Sequence, residues 1–159
     1  MASAGLNYPL LAIPAYYVFS LVPHAYAGSI LASAGYKVNN ANPKAAMSPS
    51  EVQGKVPDEV FQKYQRAENA HSNNTEQMPL FASAVLASLL AEKVTLRGKA
   101  GDNTDLSQFI MLFMAVRAAY VVSYVQIADH SKSFIRSALW AIGSGLAGFQ
   151  IYKAAQLMG

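Results

Sequence analysis

Charged residues are missing from long tracts of this chain, and that restricts its fold more than any other feature. No Asp, Glu, Lys or Arg occurs in residues 1–36, 77–91, 106–116 or 137–152. A helix that crosses a bilayer needs about 20 predominantly apolar residues. Extended to the flanking uncharged or single-charge positions, the tracts define four candidate spans, 6–34, 72–91, 106–128 and 134–157. The chain has 159 residues, of which 53% are hydrophobic and only 13% charged, so the remaining charges crowd into the connections. A soluble protein of this size lacks the core volume to hide four helices that are apolar all round. The sequence therefore predicts an all-α integral membrane protein, a single four-transmembrane-helix bundle over residues 1–159, with no linker or internal repeat.

The first tract has small residues at 25–28 that resemble a leader cleavage site, but no Lys or Arg precedes it and it is long for a leader. It reads as a retained helix, bent at Pro14 or Pro23. The absence of cysteine removes disulfides, thiolate metal sites and cysteine nucleophiles together. His24, His71 and His130 lie on separate segments without metal-like spacing, so no metal is expected. The net charge of +3 is spread among loops and forms no stripe, so no nucleic-acid partner is expected.

Loop charge sets the orientation. Loops 35–71 and 129–136 hold Lys37, Lys44, Lys55, Lys63, Arg66, Lys132 and Arg136, against Lys93, Arg97, Lys99 and Lys153 on the opposite side. The positive-inside rule places the first group in the cytoplasm and both termini across the membrane. On that side the acceptor motif Asn73-Asn74-Thr75 never meets a glycosyltransferase. The first loop divides in two: 37–54 reads as irregular chain, and Pro57-Asp58-Glu59 opens a helix that continues unbroken into the second span.

The apolar run 77–91 is too short to cross a bilayer alone, so its span must take in Glu76. Arg66, Asn69, Asn73 and Glu76 fall on one helical face leading into it. An ionisable residue drawn into a span is costly, and its default reading is a site. The third span repeats the pattern, with Arg117 near its middle and Tyr120 and Tyr124 following on the same face. Glu76 is the only acid inside any span, so the expected partner of Arg117 is Glu76, within or between subunits. The two tyrosines are expected to line a pocket. In the fourth span, Ala141/Gly145 and Ser144/Gly148 are small pairs that let helices approach, and they imply packing only.

The pattern R-x-x-x-x-H-x-N-x-x-E-x-x-P-x-F from Arg66 to Phe81, with Arg117-x-x-Tyr120-x-x-x-Tyr124, resembles the MAPEG family. Its members include microsomal glutathione transferases, leukotriene C4 synthase and prostaglandin E synthase. Tyr36-Lys37-Val38 and Arg136-Ser137 are similar to two further stretches of that family. The resemblance implies a homotrimer of the endoplasmic reticulum, with three sites at subunit interfaces open to the cytosolic leaflet. Glutathione would be the cofactor, and a lipophilic electrophile would arrive from the membrane lipid. It further implies Arg136, Ser137 and Tyr124 as the catalytic set. Arg66, Asn69, His71, Asn73, Glu76, Arg117, Tyr120 and Tyr124 would hold glutathione.

The chain departs from the family at several positions. Ser33, Ala34 and Asn69 stand where basic residues are usual, and Gln77 stands where an aromatic often follows the glutamate. Arg66, Lys37, Arg117 and Arg136 are left to meet two carboxylates. Two alternatives keep the fold. One is a glutathione-independent isomerase or cyclase using Glu76, His71, Arg117 and the tyrosines. The other is a non-catalytic lipid-binding scaffold.

Overall fold

The computed structural model describes residues 5–95 and 103–159. Among these, four long helices account for nearly all regular structure: α1 (Tyr8–Ser33), α4 (Asp58–Thr95), α5 (Leu106–Gln126) and α6 (Phe134–Met158). Two single-turn helices, α2 (Pro43–Ala46) and α3 (Pro49–Val52), interrupt the first loop. That loop is therefore not irregular throughout. Each short helix begins at a proline, whose fixed φ suits the first helical turn.

α1 is capped by Asn7, whose side chain accepts the Leu10 N–H at 2.9 Å, and it continues through both Pro14 and Pro23. α4 opens with Asp58 and Glu59 and ends near Lys93, charges that complement its dipole. At 38 residues it is about 57 Å long, well beyond the ~30 Å of a hydrocarbon core. The expected continuous helix from the first loop into the second span is thus present.

α4 is the centre of the bundle, packing along α1 on one side and α6 on the other, while α5 packs on α6 and α4. The positions α4 buries, among them Ala67, Ala70, Asn74, Gln77, Phe81 and Ala84, recur every three or four residues. They build two apolar clusters with a polar layer between. One cluster joins Tyr16, Phe81, Phe109, Phe113 and Ala147, with the Phe81 and Phe113 rings stacked at 4.7 Å. The other, toward the first loop, joins Ala27, Leu31, Val52, Phe61, Tyr64 and Val125. There the Tyr36 hydroxyl donates to the Ala46 carbonyl at 2.7 Å, and the Tyr64 hydroxyl donates to that of Met47. Burial, with Glu68 and Tyr36 nearby, pushes the Tyr64 phenol up to about 12. It therefore stays protonated and donating at any working pH, and the loop is strapped to α4.

At the opposite end, Gln150 of α6 donates to Ser88 of α4 at 2.9 Å and to the Thr104 carbonyl at 3.1 Å. Lys153 reaches Asp105 at 2.5 Å. Arg97 and Lys99, used above for orientation, lie outside the described residues. Leu86, Leu90, Met111, Val122, Ile142 and Phe149 point outward, as apolar residues do toward lipid.

Among the described residues, α1, α4 and α5 are long and apolar enough to cross a membrane. α6 has the length, with 25 residues, but Gly143, Ser144, Gly145, Gly148 and Gln150 dilute its apolar character. The packing surface of α6 also differs from expectation. The small residues that α6 buries are Gly143, Ala147 and Ala154, whereas Ala141, Gly145 and Gly148 are exposed. Gly143 packs directly against Arg117: a Cβ there would meet Cδ of Arg117 at 3.5 Å, an ordinary van der Waals contact.

Candidate active site

The polar layer contains Arg117, which is fully buried. Its Nε donates to Oδ1 of Asn74 at 2.9 Å, and its Nη2 donates to the same oxygen. The Arg117 guanidinium lies over the Tyr120 ring, 4.2 Å from the centroid. Tyr16 completes the layer by donating to the Asn74 backbone carbonyl at 3.0 Å. Gln77 reaches from α4 to Ser144 of α6 at 3.0 Å.

The expected Arg117–Glu76 pair is not formed within the chain. Glu76 is exposed and accepts from Ser72 at 3.1 Å. The cause is helical phase: Asn74 lies on the buried stripe of α4, and Glu76, two positions on, points some 200° away. Arg117 thus trades an ion pair for charge-assisted bonds to a neutral carbonyl.

Tyr120 turns its other side to a cleft of about 370 Å³ lined by Asn73, Tyr120, Tyr124, Ser133, Arg136, Ser137 and Trp140. α5 supplies the two tyrosines, whose rings lie 5.4 Å apart. α4 supplies Asn73, the turn before α6 supplies Ser133, and the first two turns of α6 supply Arg136, Ser137 and Trp140. The Arg136 guanidinium lies over the Tyr124 ring at 4.6 Å, which fixes a cation at the cleft wall. Asn73 donates to the Asn69 carbonyl at 2.8 Å. The cleft can therefore offer one permanent cation, two phenols, hydroxyls and an amide to a bound anion or thiol.

Five of the residues expected at a site, Asn73, Tyr120, Tyr124, Arg136 and Ser137, meet in this cleft. Arg117 stands one layer behind it. Arg66 lies apart, its Nε donating to the Val125 carbonyl at 3.3 Å, where it ties α4 to the end of α5. The Asn69 side chain is exposed.

His71 faces the other side of α4. It lines a second cleft of about 430 Å³ with His24, Lys44, Glu68, Ser72 and Thr75. Nδ1 of His71 lies 2.7 Å from the Ser20 carbonyl, and Nδ1 of His24 lies 2.8 Å from Glu68. Each Nδ1 faces an oxygen acceptor and therefore carries a proton in these contacts. The two rings are 5.1 Å apart.

The MAPEG family profile matches residues 10–156, nearly the whole chain. The chain belongs to the MAPEG family. No curated protein and no solved structure gave a match. Membership together with the three apolar helices makes this MAPEG chain an integral membrane protein, of a family that includes glutathione transferases and related enzymes. Sequence reasoning missed Asn74, Trp140 and the His24–Glu68 contact. Asn74 was legible as a member of the buried α4 stripe. The His24–Glu68 contact carried no signal, because its partners lie on different helices.

Proposed function

We propose that this MAPEG protein is a four-span, homotrimeric enzyme that binds glutathione and joins or exposes it to a lipophilic electrophile. The observation that carries this reading is the Arg136 guanidinium held on the Tyr124 ring in a cleft that also contains Ser137, Tyr120 and Asn73. A fixed cation beside a thiol favours the thiolate, and the thiolate is the nucleophile. Ser137 would donate to the sulfur, and the phenols would protonate the charge that develops on the acceptor. The apolar outer faces give a lipophilic partner a route in from the bilayer.

The trimer is supported by α4. Asn69, Ser72, Thr75 and Glu76 are exposed on one face of that helix, and an exposed carboxylate at span depth needs covering. A second copy covering this face would bring the His71 cleft of one subunit toward the Arg136 cleft of the next. The reading includes an active site on the cytosolic leaflet of the endoplasmic reticulum, which the basic first and third loops support.

One observation favours a second reading, a glutathione-independent isomerase or cyclase. The His24–Glu68 dyad beside His71 is an acid–base cluster that needs no thiol. The two readings separate on one measurement. Glutathione at a hundred times its dissociation constant should stabilise the detergent-solubilised protein by about 2.7 kcal/mol, read as a rise in melting temperature. No shift at 10 mM glutathione would reject the thiol reading in favour of the second.

A further inference from the structure

Trp140 is the only tryptophan in the chain, and it lines the Arg136 cleft while 43% exposed. It follows Arg136 by four residues and Ser137 by three, so α6 presents all three on one face. The other rings of the cleft are occupied. Tyr120 carries Arg117 on its face and Tyr124 beside it, and Tyr124 carries Arg136. Among the described residues, the indole of Trp140 is the one ring of this cleft that no cation or second ring covers.

We propose that Trp140 makes the cleft selective for planar, conjugated, electron-poor electrophiles, which stack on its open face. The proposal rests on the reading of this cleft as the place of thiol addition. Indole is the most electron-rich of the natural side-chain rings, and an offset stack with an electron-poor ring adds attraction beyond area burial. A cavity of about 370 Å³ is at the small end for ligand sites, which suits a compact ring better than a long acyl chain. Stacking also orders the reaction. With a quinone, the glutathione sulfur bonds to a ring carbon and the displaced π pair moves to the carbonyl oxygen. The proton given up by the thiol ends on that oxygen through Tyr120 or Tyr124. No oxidant or reductant is needed. A tryptophan that served only as an interfacial belt residue would meet lipid and show none of this selectivity.

Because the chain has one tryptophan, its fluorescence reports on this cleft alone. Menadione, added without thiol to the detergent-solubilised protein, should quench that fluorescence saturably. Its dissociation constant, read independently by thermal stabilisation, should rise about fivefold in Trp140→Leu and less than twofold in Trp140→Phe. With glutathione present, the ratio of kcat/KM for menadione to that for 4-hydroxynonenal should fall about fivefold in Trp140→Leu. Quenching that grows linearly with menadione, or equal affinity in the wild type and Trp140→Leu, overturns the proposal. Failure of the thiol reading shows elsewhere, as absent stabilisation by glutathione, and leaves the fluorescence titration able to decide the stacking.

Discussion

Replacing Asn74 with leucine should cost the protein about 3 kcal/mol of stability, the largest effect expected of any single polar substitution in the bundle. Arg117 is fully buried, and its Nε and Nη2 both donate to Oδ1 of Asn74. Leucine removes that oxygen and strands a guanidinium in apolar surroundings. Asn74→Asp should behave in the opposite way, because it keeps the oxygen and adds the missing counter-charge. The double variant Asn74→Leu, Arg117→Leu should recover most of the loss, since neither polar group then remains. Thermal unfolding in detergent reads all three. A cycle built on Glu76→Gln and Arg117→Gln should be additive within about 0.5 kcal/mol, because Glu76 faces away. If Asn74→Leu unfolds at the wild-type temperature, Arg117 draws its support from elsewhere.

The second large effect concerns rate. Arg136→Ala should lower kcat for glutathione addition by a factor of about 10² to 10³, as loss of a charge-stabilising group at a reacting centre does. The thiolate absorbance of bound glutathione should vanish with it at neutral pH. Arg136→Lys should restore part of the thiolate and little of the rate, because an ammonium keeps the charge without the flat contact on Tyr124. An unchanged thiolate titration in Arg136→Ala, with the assembly intact, would leave Arg136 as a headgroup anchor. Lys132, exposed in the turn before α6, is the internal comparison: Lys132→Ala should leave the titration as it was.

Much of this architecture could be read from charge spacing, and the reason is physical. Burying charge in lipid is expensive, so gaps in charge mark helices directly. The start of α4 after Pro57 and the start of α6 at Phe134 both fall where those gaps and the helix-start chemistry put them. What escaped depends on the third dimension. α2 and α3 are single turns, too short to hold themselves, and exist where Tyr36 and Tyr64 grip the carbonyls of Ala46 and Met47. The identity of Arg117's partner escaped for a different reason. Charge complementarity favoured Glu76, whereas helical phase assigned Asn74, and phase prevails when the cation is already inside the bundle. The cleft itself was half legible: Asn73, Tyr120, Tyr124, Arg136 and Ser137 converge, yet His71 and Arg66 from the same motif do not join them.

The bond between Asn74 and Arg117 also constrains how the protein is made. On insertion scales an arginine near the centre of a helix costs about 2.5–3.5 kcal/mol, so α5 is a poor passenger alone. α4 is little better, since Asn74 and Gln77 find their partners on α5 and α6. The smallest unit that enters the bilayer with Arg117 satisfied is therefore the α4–α5 hairpin. On this basis α4 should wait at the translocation channel until α5 has left the ribosome. A glycosylation acceptor placed in the loop between them should be modified in the whole chain and left bare in a chain that stops there. Equal modification of both would mean that α4 enters alone. A polar layer that looks like a matter of folded-state packing thus bears on the order of biosynthesis, and the two helices it joins are expected to cross the membrane together.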